Sequence, residues 1–523
     1  MAIHHMHYQV YIEKASWHKI PSKPSVSLTV WSNRTRAYLL DQLKSNHLNP
    51  EAYAIASALL LGHKDLLTPN IKSQYTASGI MHILAVSGLH VGILYFLLHY
   101  LLFFLEKLTY GKSLKTILII FVLLVYAFIT GLSPSVCRAT LMFSVLATGN
   151  SLRRYTSIYN SLAFSAFILL IVNPLLLFSI SFKLSYVAVF SIAFFQPRLH
   201  QLVKLPAVPD KPWQWFTVAL AAQIGTAPLI IHNFNQFPVF FWLTNFIAIP
   251  AATLILLSGF LYLWINPIIP FIGDMIARML AITVSILNGS TAFIQELPMA
   301  VANNLWISEF QVLCLYLLII FLSGWLILKK SLYLKLMLIS IMAVLIYDIQ
   351  ILYQRHQQKE FIVYNINKAS VSNYIEGKKN MLFVHHPGKI PDRVSRYTEQ
   401  YWITRRIHQK KVYRLSTIMK KDQQPVFIHR IFMDLNGIRV GYLFDEALLK
   451  NLDPNSKLKL DYLILGNDVN VSAEKLQNLF YAPLVILDSS NSYYHRKMLM
   501  LDMKKAGIRY YSVPDEGAFR IVF

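Results

Sequence analysis

His82, Ser87 and His90 lie in one of the most apolar stretches of the chain, Gly79–Leu94, GIMHILAVSGLHVGIL, with further glycines at 88 and 92. Imidazoles and a hydroxyl can donate, accept and relay protons. None is needed on a helix that merely faces lipid. Polar side chains within a bilayer usually face the bundle interior, and small residues let backbones approach closely. The stretch therefore reads as an intramembrane element packed on other helices. The plainer alternative is an ordinary spanning helix that tolerates a serine and a histidine. In a regular helix Ser87 and His90, three apart, share one face. Gly88 then permits close helix approach, or a break if the segment is discontinuous.

Two other blocks carry polar groups at comparable places. GLSPSVCRATLM, Gly131–Met142, sets Ser133, Ser135 and Arg138 around Pro134. Pro134 is suited to begin a helix, with Arg138 one turn in. An arginine within a membrane segment is costly. It either snorkels to the interface or uses its planar guanidinium on phosphate. Farther on, Gln223 precedes Gly225-Thr-Ala-Pro228, and Asn245 precedes Pro250. Prolines here either break the helices, so that freed backbone groups line a cavity, or kink them in a way that neighbours heal.

The elements that must position these groups follow from composition. Of the 523 residues, 55% are hydrophobic and 14% charged, and the mean hydropathy is +0.44. That is a polytopic membrane protein. Apolar segments near 80–105, 116–131, 135–150, 157–172, 175–195, 214–232, 239–265, 275–294, 310–328 and 332–351 give about ten spans. The eighth is amphipathic, with Asp274, Arg278 and Asn288, and either lies in the interface or lines a cavity. Lysines and arginines fall in alternate loops: Lys107, Lys112 and Lys115; Arg153 and Arg154; Arg198, Lys204 and Lys211; Lys329, Lys330 and Lys335. The positive-inside rule makes those loops cytoplasmic and puts both termini outside the cytoplasm.

Before the first span, residues 36–63 read as one or two helices broken at Asn49-Pro50. Residues 1–35 alternate weakly (Tyr8, Val10, Ile12, then Val26, Leu28, Val30), as two strands would. No compact apolar core of a cleavable signal peptide is visible in residues 1–20. After residue 352 spanning runs end. Strand-like runs at Phe361–Ile366, Met381–Val384, Pro425–Met433, Ile438–Phe444, Tyr462–Leu465, Leu484–Leu487, Ile508–Val513 and Ala518–Phe523 alternate with helical patterns at Ser472–Phe480 and Tyr494–Lys505. This is a soluble α/β domain. Its 27 basic and 16 acidic residues leave it at +11, within a chain total of +23. Such charge suits anionic lipid or a polyanion.

Several chemistries are excluded or lack their residues. There is no Gly-x-x-x-x-Gly-Lys-Ser/Thr loop, so the chain does not power transport by that route. Cys137 and Cys314 both sit in apolar segments, without zinc spacing. No cofactor is expected.

GIMHILAVSGLHVGIL closely resembles the signature of the ComEC competence protein family, the inner-membrane DNA-uptake channels of bacteria. Gly131–Met142, NPLLLFSISFKLSYVAVFSI at Asn173–Ile192, and AAQIGTAPLIIHNFNQFPVFFWLTNFIAIP at Ala221–Pro250 follow in the family's order. The resemblance covers residues 35–330 and continues weakly to the C-terminus. It implies three parts: 1–35 as a remnant of an N-terminal extracytoplasmic β domain, 36–352 as the transmembrane domain, and 353–523 as a degenerate metallo-β-lactamase-like domain. Family members usually begin with more helices and a β-barrel, often with cysteines, so this lineage has lost that part or the sequence starts late. LDYLILGNDVNVS, Leu460–Ser472, stands where the family has a strand ending in His-His-Gly-Ser, and reads Asn467-Asp468-Val469-Asn470. A Gly-Asp pair is replaced by Lys368-Ala369-Ser370. No His-x-His-x-Asp-His run exists, and His385-His386, His429 and His495 lack ligand spacing. The expectation is a scaffold without a hydrolase.

The implied function is a channel for single-stranded DNA in natural transformation, not an enzyme, in the bacterial cytoplasmic membrane. Its path candidates are His82, Ser87, Gly88, His90, Ser133, Ser135, Arg138, Gln223, Gly225, Pro228 and Asn245. Implied partners are single-stranded DNA, membrane lipids, an extracytoplasmic DNA receptor and a cytoplasmic helicase or translocase. The rival readings are a membrane-tethered nuclease and a small-solute transporter.

Overall fold

The computed structural model describes residues 28–44, 48–203, 206–377, 379–386, 390–407, 411–415, 427–429, 432–435, 437–451 and 457–523. Two compact units divide between Ile320 and Phe321.

The first unit is helical: α1 (Leu28–Leu43), α2 (Pro50–Leu61), α3 (Pro69–Ala77), α4 (Gly88–Leu101), α5 (Gly111–Ile129), α6 (Pro134–Ser151), α7 (Ile158–Val172), α8 (Ile180–His200), α9 (Ala207–Phe234), α10 (Phe241–Ile265) and α11 (Pro270–Glu296). A short antiparallel pair, β1 (Gln236–Pro238) and β2 (Val301–Asn303), joins the loops after α9 and α11. α12 (Glu309–Leu328) contains the division, and α13 (Ser331–Gln357) belongs to the second unit.

Seven of these helices are long and apolar enough to cross a membrane: Gly111–Ile129, Ile180–His200, Asp210–Phe234, Phe241–Ile265, Pro270–Glu296, Glu309–Leu328 and Ser331–Gln357. The chain is a multi-pass membrane protein. The segment expected at 80–105 is not one continuous helix. Residues 79–87 form turns, and the helix starts at Gly88. Of the two readings of the prolines in α9 and α10, break or kink, the break does not occur. Both helices run on through Pro228 and Pro250. Leu28 and Val30, read as strand, lie on α1, whereas Tyr8, Val10, Ile12 and Val26 fall outside the described residues, as does Lys204.

The core of this unit forms around α2 and α10. Asn49 caps α2 by accepting from Ala52 N at 2.7 Å, and Pro50 follows at its first turn. Such a start satisfies N–H groups that the helix leaves open. α2 is short and apolar on every side, hence buried: Ile55, Leu59 and Leu60 are fully enclosed. Facing it, α10 supplies Ala248, Ala252, Ile255 and Leu256. α1 holds the end of α5, where Ser32 Oγ donates to Phe128 O at 2.7 Å and Arg36 Nε to Ile129 O at 2.5 Å. A cation there also complements the negative end of the helix dipole.

The second unit continues from α13 into two packed sheets. One has the order β15–β3–β4–β5–β6, with β3 (Lys359–Val363), β4 (Ser370–Glu376), β5 (Lys379–His385), β6 (Lys411–Arg414) and β15 (Phe519–Val522). The other runs β14–β13–β11–β9–β8–β7, with β7 (Phe427–His429), β8 (Phe432–Leu435), β9 (Ile438–Leu443), β11 (Tyr462–Leu465), β13 (Leu484–Leu487) and β14 (Tyr510–Ser512). A two-residue parallel pair, β10 (Leu458–Lys459) with β12 (Phe480–Tyr481), stands apart. The strand expected over Pro425–Met433 is a hairpin, β7 with β8; residues 425, 426, 430 and 431 lie outside the described residues. Phe361, Phe383, Tyr442, Ile464 and Ile486 fill the space between the sheets. α14 (Asp392–Thr404) covers the outer face of the first sheet through Val394 and Trp402. α15 (Ala473–Leu479) and α16 (Tyr493–Lys505) cover the second through Leu476, Leu499 and Met503. The layers are therefore helix, sheet, sheet, helix.

Candidate functional site: three helix starts around a buried arginine

Ser87 starts α4. Its backbone N–H donates to His90 Nδ1 at 3.2 Å, its Oγ lies 2.9 Å from the same nitrogen, and Leu89 N donates back to Oγ at 3.3 Å. This is a capping box with histidine in the usual place of glutamate. The acceptor role of Nδ1 leaves the ring proton on Nε2. That atom is buried and without a partner, in a side chain 0% exposed. Ser87 and His90 thus serve to start the helix rather than merely sharing a face.

The next residue, Gly88, meets α6. A Cβ added there would stand 3.0 Å from Arg138 Nη2 and 3.7 Å from Ala139 Cβ. Ser133 caps α6 by accepting from Val136 N at 3.4 Å, and Pro134 follows. That cap turns Arg138, in the opening turns of α6, toward α4 and α8. Its Nε donates to Ser185 Oγ at 2.8 Å, and its Nη1 lies 3.6 Å from Met142 Sδ. Ser135 Oγ is 3.1 Å from the same Ser185 hydroxyl. The guanidinium also sits 5.8 Å from the ring of Tyr186, whose hydroxyl pairs with Ser165 Oγ at 3.0 Å.

Arg138 is only 5% exposed, and no carboxylate among the described residues pairs with it. A buried ion without a counter-charge costs on the order of several kcal/mol. The opening turns of α4, α6 and α8 add the positive ends of helix dipoles rather than relieving that cost. The assembly offers a guanidinium edge at the start of α4 together with the hydroxyls of Ser135 and Ser185. It is chemically suited to an oxyanion.

The structure brings Ser87, Gly88, His90, Ser135 and Arg138 together, with Ser133 as the cap behind them. His82, exposed in the turn before α4, lies near enough to His90 for the two imidazoles to interact electrostatically. The other candidates lie elsewhere. Gly225 packs α9 on α8, where an added Cβ would meet Ser191 Oγ at 1.8 Å. Its carbonyl, three residues before Pro228, accepts from Tyr316 Oη at 2.9 Å. Gln223 Nε2 is buried without a partner. Asn245 donates to Phe241 O of its own helix at 2.7 Å. Ser185 and Tyr186 were not singled out from the sequence, although both stand in the block Asn173–Ile192.

In the second unit, the ends of β11 and β13 carry a closed polar network in place of metal ligands. Asp488 Oδ1 accepts from Ser490 N at 2.9 Å and from Ser490 Oγ at 2.5 Å. Asn467 N donates to Ser490 Oγ at 2.7 Å, and Ser492 N to Asp468 Oδ1 at 2.6 Å. Lys368 N donates to Ser489 O at 2.9 Å. Burial pushes the Asp488 carboxyl up to about 6, against the pull of these hydrogen bonds. His385 stacks on Phe444 at 4.2 Å, and burial lowers its pKa. His495 is taken by Val469 O at 2.8 Å, and the side chain of His429 is outside the described ones. Among the described residues, no three His, Cys, Asp or Glu side chains converge as a metal site. The residues do not fit a dinuclear hydrolytic centre.

Comparison with known proteins bears on both units. The family model described as "Competence protein" matches residues 59–330, more than half of the chain, and "ComEC C-terminal domain" matches 361–523. ComE operon protein 3 of Bacillus subtilis is 31% identical over 212 residues, 40% of this chain and 26% of that protein. An uncharacterized protein of Aquifex aeolicus is 30% identical over 226 residues, 42% of this chain and 49% of the relative. Recombination protein 2 of Haemophilus influenzae is 24% identical over 237 residues, 43% and 30% respectively. In each case the match spans less than two thirds of the relative's length. No solved structure matches. On the extent of the first match, the chain belongs to the competence protein family.

Proposed function

We propose that this protein passes single-stranded DNA across the bacterial cytoplasmic membrane in natural transformation. The observation that carries the reading is Arg138, enclosed without a carboxylate beside the start of α4. A DNA strand presents one phosphodiester per nucleotide, and a guanidinium with helix N–H groups binds phosphate irrespective of base. The names of two relatives, a ComE operon protein and a recombination protein, support a role in DNA uptake. α4 supports it too. Its 14 residues rise about 21 Å, less than the ~30 Å hydrocarbon core, so its start falls inside the bilayer when its other end lies at the interface. Half-helix starts at such depth are anion sites in transporters.

On this reading the seven long helices, with α4, α6 and α7, make ten spans and leave both termini outside the cytoplasm. The second unit is a degenerate metallo-β-lactamase-like domain, consistent with its layer order. It holds no catalytic metal and, being basic, binds nucleic acid only weakly and salt-sensitively. Metal-dependent DNA cleavage by the purified full chain would refute that. An extracytoplasmic receptor delivers DNA, and a cytoplasmic helicase or translocase pulls it.

The decisive experiment is deletion of the gene and complementation, scored by transformation with free linear DNA. Deletion should abolish transformation. Complementation with Arg138→Gln should leave it at least about tenfold below wild type at equal protein level, since a hydrogen bond to a charged group contributes about 1.5–3 kcal/mol and 1.36 kcal/mol is tenfold. Undiminished transformation in the deletion strain would end the reading.

A further inference from the structure

α11 carries three parallel stripes. Gly273, Ala277, Leu280, Val284, Leu287, Thr291 and Ile294 are buried against the bundle. Met275, Met279, Ile282, Ile286 and Phe293 are exposed and apolar, as a lipid-facing row is. Between them, at the same four-three spacing, run Asp274, Arg278, Ala281, Ser285, Asn288, Ala292 and Gln295. Residues at that spacing lie above one another on a helix. A polar row along a membrane-length helix is costly unless it meets water or a polar cargo.

Two cavities follow the C-terminal half of this row. One of about 610 Å³ lies between α3, the β1–β2 pair and the end of α11, with Lys72, Ser73, Thr76, Gln236, Gln295 and Asn303 in its wall. The other, about 280 Å³, is lined by Asn49, Glu51, Gln74, Ser285 and Asn288. From Gln295 to Ser285 the helix rises about 15 Å, so the cavities lie in series. α3 is held on α11 by Tyr75 Oη donating to Asn288 Oδ1 at 2.8 Å and Gln295 Nε2 to Ser73 Oγ at 3.4 Å. The turn Gly79–Val86 then leads from α3 directly to Ser87, the cap of α4.

We propose that this groove binds the bases of an unpaired nucleic-acid strand. The proposal rests on the strand-passing reading and assigns to it a second contact, distinct from the phosphate contact at Arg138. The polar groups of the lining are mostly carboxamides and hydroxyls, set among apolar residues such as Leu297 and Val301. The larger cavity has one lysine and the smaller one glutamate, so neither wall has the repeated cations of a phosphate track. Carboxamides both donate and accept, so they match the edges of every base without choosing among them. Cavities of this size suit small-molecule moieties.

The test uses the full chain in nanodiscs, a fluorescent oligothymidine and an abasic strand of equal length. Gln295→Leu and Ser285→Leu remove lining groups while leaving the Tyr75–Asn288 bond in place. Each should weaken oligothymidine binding at least fivefold and leave the abasic strand unchanged. Arg138→Gln should weaken both strands. Equal loss of both strands in the groove variants, or loss of neither, would overturn the assignment, as would no binding of oligothymidine to the wild type. Transformation of the deletion strain reports separately on the parent reading. Its persistence alongside base-dependent binding would sink the channel and leave the groove standing.

Discussion

Arg138 and Asp488 are opposite cases of a buried charge. Around Arg138 the protein supplies hydroxyls and helix starts but, among the described residues, no anion. Around Asp488, at 0% exposure, it supplies Ser370, Ser490 and Asn491 as donors, yet, among the described residues, no cation. Desolvation therefore dominates at Asp488 and raises its pKa to about 6. The sign of the linkage follows. The folded form binds the proton more tightly than the unfolded chain, whose aspartate titrates near 4. Stability from this group is fully present below about pH 4 and is lost as pH rises through about 6. The shift of roughly two units is worth about 3 kcal/mol. Asp488→Asn keeps the acceptor and removes the ionisation. It should slow hydrogen exchange over β11 and β13 in the full chain at pH 8, and the gap from wild type should close toward pH 4. An equal gap at both pH values would show that ionisation is not the cause.

At the scale of elements, the start of α4 joins two helices through one missing side chain. A leucine side chain in place of the Gly88 hydrogen would press on Arg138 Nη2 and Ala139 Cβ, which stand 3.0 and 3.7 Å from the first added carbon. Gly88→Leu should therefore abolish transformation while the protein still reaches the membrane, as quantitative immunoblotting of membranes would show. Normal transformation would mean that α4 and α6 part without consequence. Part of this arrangement was legible beforehand. Ser133-Pro134 and Asn49-Pro50 are cap-then-proline pairs, and both start helices. The break before Gly88 was not fixed by its residues, because small residues in an apolar run serve close packing and a helix start alike. Pro228 read equally as a break. The structure keeps α9 whole because packing decides the matter: Tyr316 bonds the carbonyl of Gly225, and Ser191 leaves no room beside that glycine. Nothing in the sequence sets Ser185 apart from Ser181 and Ser191 of the same helix. Its meaning depends on Arg138, 47 residues away. In the second unit, β-branched and aliphatic runs marked most strands. The hairpin of β7 and β8 reads in sequence as one strand because no turn residue separates them.

For the whole molecule, orientation decides which way the candidate site and groove open. Loop charge is the available determinant, since lysine and arginine near span ends are retained on the cytoplasmic side. Lys107 before α5 with Lys112 and Lys115 in its opening turns, Arg153 and Arg154 after α6, and Lys329 and Lys330 after α12 all fall at alternate connections of a ten-span count. The intervening connections, including β1 and β2, carry neither residue type over 233–238 and 296–309. In the ten-span arrangement, the starts of α4, α6 and α8 and the larger cavity share the extracytoplasmic half, where a strand arrives, and Gln358 begins an extracytoplasmic domain. The count matters as much as the charge. If α4, with 14 residues, and α7, with 15, both failed to cross, the intervening loops would change sides while the C-terminus would not. Two fusion points separate these cases. Alkaline phosphatase joined after Gln358 should be active, and joined at Arg154 inactive. Activity at both would mean that an odd number of the short helices between them crosses differently from the ten-span arrangement, and the reverse pattern would turn the site and the groove toward the cytoplasm.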